Sequence, residues 1–257
     1  MLLELKKGIL YGPVNSRRLG KSLGVNLMPW KYKLCSFNCI YCHFGWTDKH
    51  TRYINSNLDD LPKIDEVIKV IEEVCKSDLE FNYITFSGNG EPTLYPNVLE
   101  LVYEVRKIRN KLRGDAKIAL LSNSTNLSSA DVQRAISYID YPMFKLDAGR
   151  EDTFRIINYP SDGISFDSIL GNLEKLGDRI IIQTILMDGE PNNVNLEELT
   201  YYYDCIVRIK PREVHICSID RPVPEKKIIR VNSEKLKEIA KVGEERTNIS
   251  FKGFYVK

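Results

Sequence analysis

The segment FNYITFSGNGEPTLYP, residues 81–96, begins as a strand and ends as a turn. Residues 81–87 are rich in β-branched and aromatic side chains, the composition a pleated, half-buried strand favours. The run Gly88-Asn89-Gly90-Glu91 then breaks the pattern. No Gly-Lys-Ser/Thr follows it, which excludes a phosphate-binding P-loop. Working outward, KIALLS (117–122), PMFKLDA (142–148), RIIIQTIL (179–186) and EVHICSI (213–219) read as strands in the same way, and SLGVNLM (22–28) precedes them all. Helical spacing fills the gaps. Ile64, Val67, Ile68, Ile71, Val74 and Cys75 fall on one apolar face within 62–76, and Val98, Leu101, Val102, Val105, Ile108 and Leu112 repeat the pattern, with Gly114 as a stop. Further helices are expected near 128–138, 151–158, 165–176, 195–209 and 233–242. Six strands alternating with helices indicate a parallel α/β architecture. Six units suit a partial, open β/α barrel better than a closed eight-unit one. Without repeats, low-complexity tracts or a linker, the reading is one domain over 1–257: an N-terminal extension 1–21, a β/α core 22–219 and a C-terminal extension 220–257.

Composition narrows the function. Of 257 residues, 43% are hydrophobic and 28% charged, and the net charge of +2 gives no argument for a nucleic-acid or anionic-membrane specialist. The opening MLLELKKGILYG lacks a long apolar run and a small-residue cleavage site, so no signal peptide is read. No stretch approaches the roughly 18 apolar residues of a membrane span. The expectation is a cytoplasmic protein with no membrane partner. Clustered cysteines in that reducing compartment point to metal binding or catalysis rather than disulfides, and Asn126-Leu127-Ser128 carries no glycosylation meaning.

The stretch KLCSFNCIYCHFGW, residues 33–46, holds Cys35, Cys39 and Cys42, half of the chain's six cysteines. A structural zinc site wants two cysteine pairs, or a cysteine pair with a histidine pair. Here only His43 and His50 are near, and His43 adjoins Cys42, where joint chelation of one ion is awkward. A redox Cys39/Cys42 pair leaves Cys35 unexplained. Three thiolates on a 4Fe–4S cluster account for the count, because such a cluster normally takes four cysteines and a missing one leaves an iron open.

With its aromatic before the third cysteine, this loop resembles the motif of the radical S-adenosylmethionine (SAM) superfamily, matched by Cys35, Cys39, Tyr41 and Cys42. The resemblance implies a 4Fe–4S cluster on the three cysteines, SAM bound at the open iron, and reductive cleavage of SAM to methionine and a 5′-deoxyadenosyl radical that abstracts hydrogen from a substrate. It also implies a one-electron donor such as ferredoxin or flavodoxin. Tyr41 would pack near the adenine. Gly88, Gly90, Glu91 and Pro92 resemble the superfamily's Gly-Gly-Glu motif, with Asn89 as the departure. Small residues there let a backbone approach the methionine moiety, and Glu91 can accept from an ammonium.

Strand ends complete the expected site, since barrels of this kind present ligand-facing residues at the C-terminal ends of strands. Expected SAM contacts are Tyr41, Ser87, Gly88, Asn89, Gly90, Glu91, Pro92, Ser122, Asn123, Asp147 and Gln183. Lys145, His215 and Cys217 are read as catalytic residues facing the substrate, with a packing role as the alternative for Cys217. Each of these alone serves equally well as a hydrogen-bonded strand end, but an interior Lys145 or Asp147 requires a partner. Cys75 lies on an apolar helical face and, with Cys205, is read as core. His43 has no assigned role.

YGPVNSRRLGKSLGVNLMP (11–29), FKLDAGREDTFRIINYP (144–160) and SIDRPVPE (218–225) are similar to a prokaryotic, largely archaeal, family of radical SAM Fe–S oxidoreductases grouped with the tRNA wyosine-base synthases. Those synthases carry a second cluster on cysteines upstream of the motif, and this chain has none before Cys35. CIYCH and TFSG also resemble the activating enzymes of glycyl-radical proteins, a second reading with a protein substrate. The basic turn Arg17, Arg18 and Lys21 is suited to phosphate, which admits tRNA or a nucleotide as substrate; a solvated loop explains it equally. Two other classes stay open: an electron-transfer iron–sulfur protein and a zinc-binding nucleic-acid module. Neither needs the glycine turn.

Overall fold

A computed structural model of the protein describes residues 1–54 and 58–255, so the last two residues of the expected C-terminal extension lie outside the described residues. The chain sorts into two compact units, and the division falls inside the cysteine stretch, after Ser36. The first unit comprises Leu5–Ser36 and Thr47–Pro142; the second comprises Met1–Glu4, Phe37–Trp46 and Met143–Lys257.

In the first unit, β1 (Leu10–Ser16) and β2 (Gly20–Val25) form an antiparallel hairpin. Its turn is closed by Ser16 Oγ, which accepts from the backbone N–H groups of Arg18 and Leu19 at 3.3 and 3.2 Å. The two-residue strands β3 (Leu34–Cys35) and β4 (Lys49–His50) pair in parallel. β5 (Tyr83–Phe86) lies between β2 and β6 (Lys117–Ser122), parallel to both, in the register Val25, Phe86, Leu120. Parallel neighbours need a crossover, supplied by α1 (Ile64–Lys76) and α2 (Val98–Leu112); α3 (Ala130–Ala135) follows β6. The apolar stripe of α1 buries Val67, Ile71 and Cys75, and that of α2 buries Leu101, Val102 and Val105. Each fully buried branched side chain contributes about 1.5–3 kcal/mol.

In the second unit, β7 (Tyr141–Lys145) runs in from Met143 and is followed by α4 (Glu151–Asn158) and α5 (Phe166–Leu176). Next come β8 (Ile181–Gly189), α6 (Leu196–Ile209), β9 (Glu213–Ser218), the short β10 (Ile228–Arg230), α7 (Ser233–Thr247) and β11 (Phe251–Phe254). β7, β8, β9 and β11 are parallel neighbours in that order. Lys145, Gln183, His215 and Lys252 form one row across them, and residues in register share a sheet face. Ile185, Cys217 and Phe254 form the row two residues on.

The six expected strands are all present, with ends within three residues of those read from sequence. β1, β3, β4, β10 and β11 are additional. Antiparallel β10 pairs with Met187–Gly189 and extends β8 three residues beyond Leu186. Gln183 is therefore the third residue of a nine-residue strand rather than a late one.

Candidate active site

In the first unit, the strand that carries Cys35 is laced to the glycine turn. Leu34 N donates to Asn89 O at 3.1 Å, and Glu91 N donates to Leu34 O at 3.3 Å. The fit is against backbone at Gly90 and against a side chain at Gly88. Gly90 has φ 154° and a Cβ there would lie 1.6 Å from the Leu34 carbonyl oxygen; Gly88 has φ 137° and its Cβ would lie 2.5 Å from Asn26 Oδ1. The space opened by these glycines is filled by the chain itself. Asn89 is fully buried. Its Nδ2 donates to the carbonyls of Lys6 and Pro29 at 3.0 and 2.9 Å, and its Oδ1 accepts from Lys6 N at 2.8 Å. The side chain at the motif's departure from two adjacent glycines therefore binds the N-terminal segment to the turn.

Glu91 is also buried. Its Oε1 accepts from Thr93 N, Thr93 Oγ1 and Ser122 Oγ at 3.0, 2.5 and 2.9 Å, and its Oε2 accepts from Asn123 N at 2.6 Å. Burial pushes its carboxyl above the usual range, opposed by these donors. Pro92 opens the short 3-10 turn that Glu91 caps. Asn123 continues the chain of contacts: its Nδ2 donates to Ser36 Oγ at 2.9 Å and to Cys35 Sγ at 3.5 Å. Ser87 Oγ meets Tyr11 Oη at 2.6 Å. Arg17 and Arg18 lie in the turn between β1 and β2, and Lys21 pairs with Glu80 at 2.5 Å on the surface.

The second unit holds Cys39 and Cys42 on a loop closed by Cys42 N donating to Cys39 O at 3.1 Å. Beside it lies a buried polar cluster. Tyr41 Oη donates to Asp147 Oδ2 at 2.5 Å, and Asn158 Nδ2 lies 2.8 Å from the same Oδ2, 3.1 Å from Tyr41 Oη and 3.6 Å from Cys39 Sγ. Asp147 Oδ1 accepts from Ile185 N at 2.8 Å and pairs with Lys145 Nζ at 3.1 Å; the same ammonium lies 5.0 Å from the centre of the Tyr41 ring. Burial, then the Asp147 charge and Cys39, push the Tyr41 hydroxyl well above its ordinary value, so it stays a donor. His43 Nε2 faces Asp220 Oδ1 at 3.5 Å.

His215 belongs to another cluster. Its Nε2 meets Glu213 Oε1 at 2.7 Å, its ring packs against Phe254 with centroids 4.9 Å apart, and Lys252 also pairs with Glu213. Although burial raises the Glu213 carboxyl, Lys252 and His215 hold it below the usual range. Cys217 Sγ lies 3.9 Å from Thr184 O. Gln183 is buried, and its carbonyl accepts from Leu146 N at 3.2 Å. Cys75 and Cys205 are buried on α1 and α6, and burial pushes the Cys205 thiol up to about 12.

The structure thus joins Cys35, Glu91, Ser122 and Asn123 to the glycine turn in one unit, and Cys39, Tyr41, Lys145 and Asp147 in the other. Sequence reasoning passed over Asn26, Tyr11 and Asn158. The one signal for Asn158 was an asparagine before Tyr-Pro at a helix end, inside a stretch singled out for other reasons. Among the described residues no three Cys, His, Asp or Glu side chains converge closely enough to hold a single ion; a cluster distributes its thiolates over separate irons. The donor set fits such a cluster: three cysteines outside any disulfide, two of which receive side-chain amides, the kind of contact that tunes iron–sulfur centres.

Residues 31–201 match the model of the Radical SAM superfamily. A protein of Brachyspira hyodysenteriae named GTPase Obg is 31% identical over 96% of this chain and 35% of its own length. A UPF0026 protein of Helicobacter pylori is 33% identical over 83% of this chain and 67% of its own. The chain thus spans about a third of the first of these curated relatives and about two thirds of the second. The crystal structure of a radical SAM methyltransferase from Sphaerobacter thermophilus has a TM-score of 0.65 at 12% identity, covering 92% of this chain and 66% of that one. That likeness is one of fold: a partial β/α barrel of mostly parallel strands.

Proposed function

The chain belongs to the radical SAM superfamily, and from that premise we propose that Cys35, Cys39 and Cys42 hold a 4Fe–4S cluster and that the turn Gly88–Pro92 receives SAM. When bound, the cluster supplies one electron to SAM, which yields methionine and a 5′-deoxyadenosyl radical that takes hydrogen from a substrate. The observation that carries this reading is the lacing of Leu34 to Asn89 and Glu91, which sets the strand that carries Cys35 beside the glycine turn. A cysteine ligand and a SAM-binding turn must lie side by side in such an enzyme; an electron-transfer protein or a zinc module has no use for the second.

The chain's own residues do the remaining work. Glu91 fixes the end of β6 through Ser122 and Asn123, and Asn123 supports the Cys35 sulphur. Tyr41, held by Asp147, offers an aromatic face to an adenine, and Asp147 with Lys145 supplies charge at the end of β7 for ribose or substrate. A small one-electron donor protein, ferredoxin or flavodoxin, completes the system, in a reducing cytoplasm where such thiols persist. For the hydrogen donor we read RNA or a nucleotide, on Arg17 and Arg18 together in the turn between β1 and β2.

Anaerobic reconstitution tests the reading. The expected result is a brown protein whose reduced-cluster EPR signal changes when SAM is added and which releases 5′-deoxyadenosine. Cys42→Ala should lose cluster and turnover together. Tight zinc at full occupancy with no cluster would overturn the assignment. Deuterium transfer from labelled RNA and protein fractions, assayed separately, decides the substrate; label arriving only from protein would overturn the RNA reading.

A further inference from the structure

Asn158 is the last residue of α4 and is only 1% exposed. The helix ends there because Tyr159 adopts a left-handed conformation, φ 43°, and Pro160 cannot continue it. The carbonyls freed at that end are taken up by the cysteine loop. Ile40 N donates to Ile157 O at 3.1 Å, and Asn38 N donates to both Asn158 O and Tyr159 O at 3.0 Å. The loop that carries Cys39 and Cys42 is therefore the C-terminal cap of α4, and the Asn158 side chain points back into it.

That side chain has two amide hydrogens and three acceptors: Asp147 Oδ2 at 2.8 Å, Tyr41 Oη at 3.1 Å and Cys39 Sγ at 3.6 Å. The carboxylate takes one hydrogen. The second lies between an oxygen and a sulphur. Once Cys39 is a thiolate, the charge-assisted bond to sulphur is the stronger of the two, and the second hydrogen goes there.

Resting on the functional reading above, we propose that Asn158 is a positioning residue that orients the Cys39 thiolate and raises the reduction potential of the cluster. An N–H donor at a ligand sulphur favours the form with more negative charge, which is the reduced cluster, and hydrogen bonds to sulphur are among the levers that set such potentials. A residue that merely filled space at the end of α4 would hold the loop without moving the potential.

The test is an EPR-monitored redox titration of reconstituted wild-type protein and Asn158→Leu, which removes the donors at similar volume. The variant is expected to take up wild-type amounts of iron and sulphide and to show about tenfold less reduced cluster at a fixed poise, a shift of about 59 mV to more negative potential for one electron. An unchanged midpoint at full iron content overturns the proposal and leaves the functional reading standing. If Asn158→Leu does not assemble a cluster, Asn158→Ala is titrated under the same criterion. Loss of the cluster in both variants, with native circular dichroism, overturns potential tuning in favour of a purely structural role. Wild-type protein that assembles no cluster is a different failure, that of the functional reading itself.

Discussion

Asn123 in the first unit and Asn158 in the second each give a side-chain amide to a cysteine sulphur, at 3.5 and 3.6 Å. Around that shared device the two units differ. Asn123 stands next to Glu91, whose oxygens receive uncharged donors from Thr93, Ser122 and Asn123. Asn158 stands next to Asp147, which takes a phenol and an amide and also the Lys145 ammonium at 3.1 Å. The first unit fixes its cysteine by close backbone packing and neutral hydrogen bonds, the second by a charged, buried network. One kind of contact to sulphur can be supported either by steric fit or by electrostatics, and substitutions in the two units should fail for different reasons.

The largest effect belongs to the steric side. Gly90→Ala drives a Cβ into the Leu34 carbonyl, where neither partner is a flexible side chain. It should cost at least about 4 kcal/mol, the exceptional range for one substitution, read as a lowered urea midpoint and a cysteine loop that no longer assembles. A wild-type midpoint would show that the lacing is loose and remove the contrast between the units. Asp147→Asn comes next. It leaves the Lys145 ammonium, 16% exposed, without its carboxylate, and breaking such a pair should cost about 3 kcal/mol. Glu91→Gln should cost less, about 1–3 kcal/mol, because only a misplaced amide facing Asn123 N–H is at stake. If the Glu91 variant proved the weaker protein, the assignment of charge to one unit and fit to the other would be reversed.

The two units also separate by pH. Burial raises the Glu91 carboxyl, so its contribution is fully present below the ordinary value of 4.5 and is lost as pH rises through the folded value. The deficit of Glu91→Gln should therefore be greatest near pH 4 and narrow toward pH 8. Glu213 is held low by Lys252 and His215, so its contribution is present above 4.5 and lost as pH falls through the depressed value. The deficit of Glu213→Gln should be greatest near neutrality and shrink in acid. Denaturant midpoints at several pH values check both; parallel trends would refute the opposite signs. The smallest effect is Gly171→Ala in α5, where an added Cβ meets nothing within 4 Å. It should stabilise the protein by about 0.5–1 kcal/mol, and a loss in the melting curve would contradict that open space.

Much of this was legible in the sequence. Periodicity belongs to single segments, so the six strands and the main helices could be read one at a time. β1 contains Gly12 and Pro13, which break the alternation of a strand, and is held by its hairpin partner β2; β10 and β11 are three and four residues long and are strands only because distant partners pair with them. The cysteine spacing and the glycine turn were legible because their chemistry is local. What those glycines face was not: Leu34 and Asn26 reach them from across the unit. Asn158 lies inside a distinctive stretch, yet its role is not legible there, because an asparagine's function is decided by its acceptors, and these are Cys39, Tyr41 and Asp147.

The distance along the chain between each cysteine and its asparagine carries a consequence for how the protein is made. Asn123 follows Cys35 by 88 residues and Asn158 follows Cys39 by 119. At about 5–20 residues per second of synthesis, Cys35 leaves the ribosome roughly 4–18 s before its amide partner exists and Cys39 roughly 6–24 s before. Both thiols are nascent, unsupported nucleophiles throughout that interval. Oxidant or stray metal present during translation should damage this protein more than the same exposure after folding.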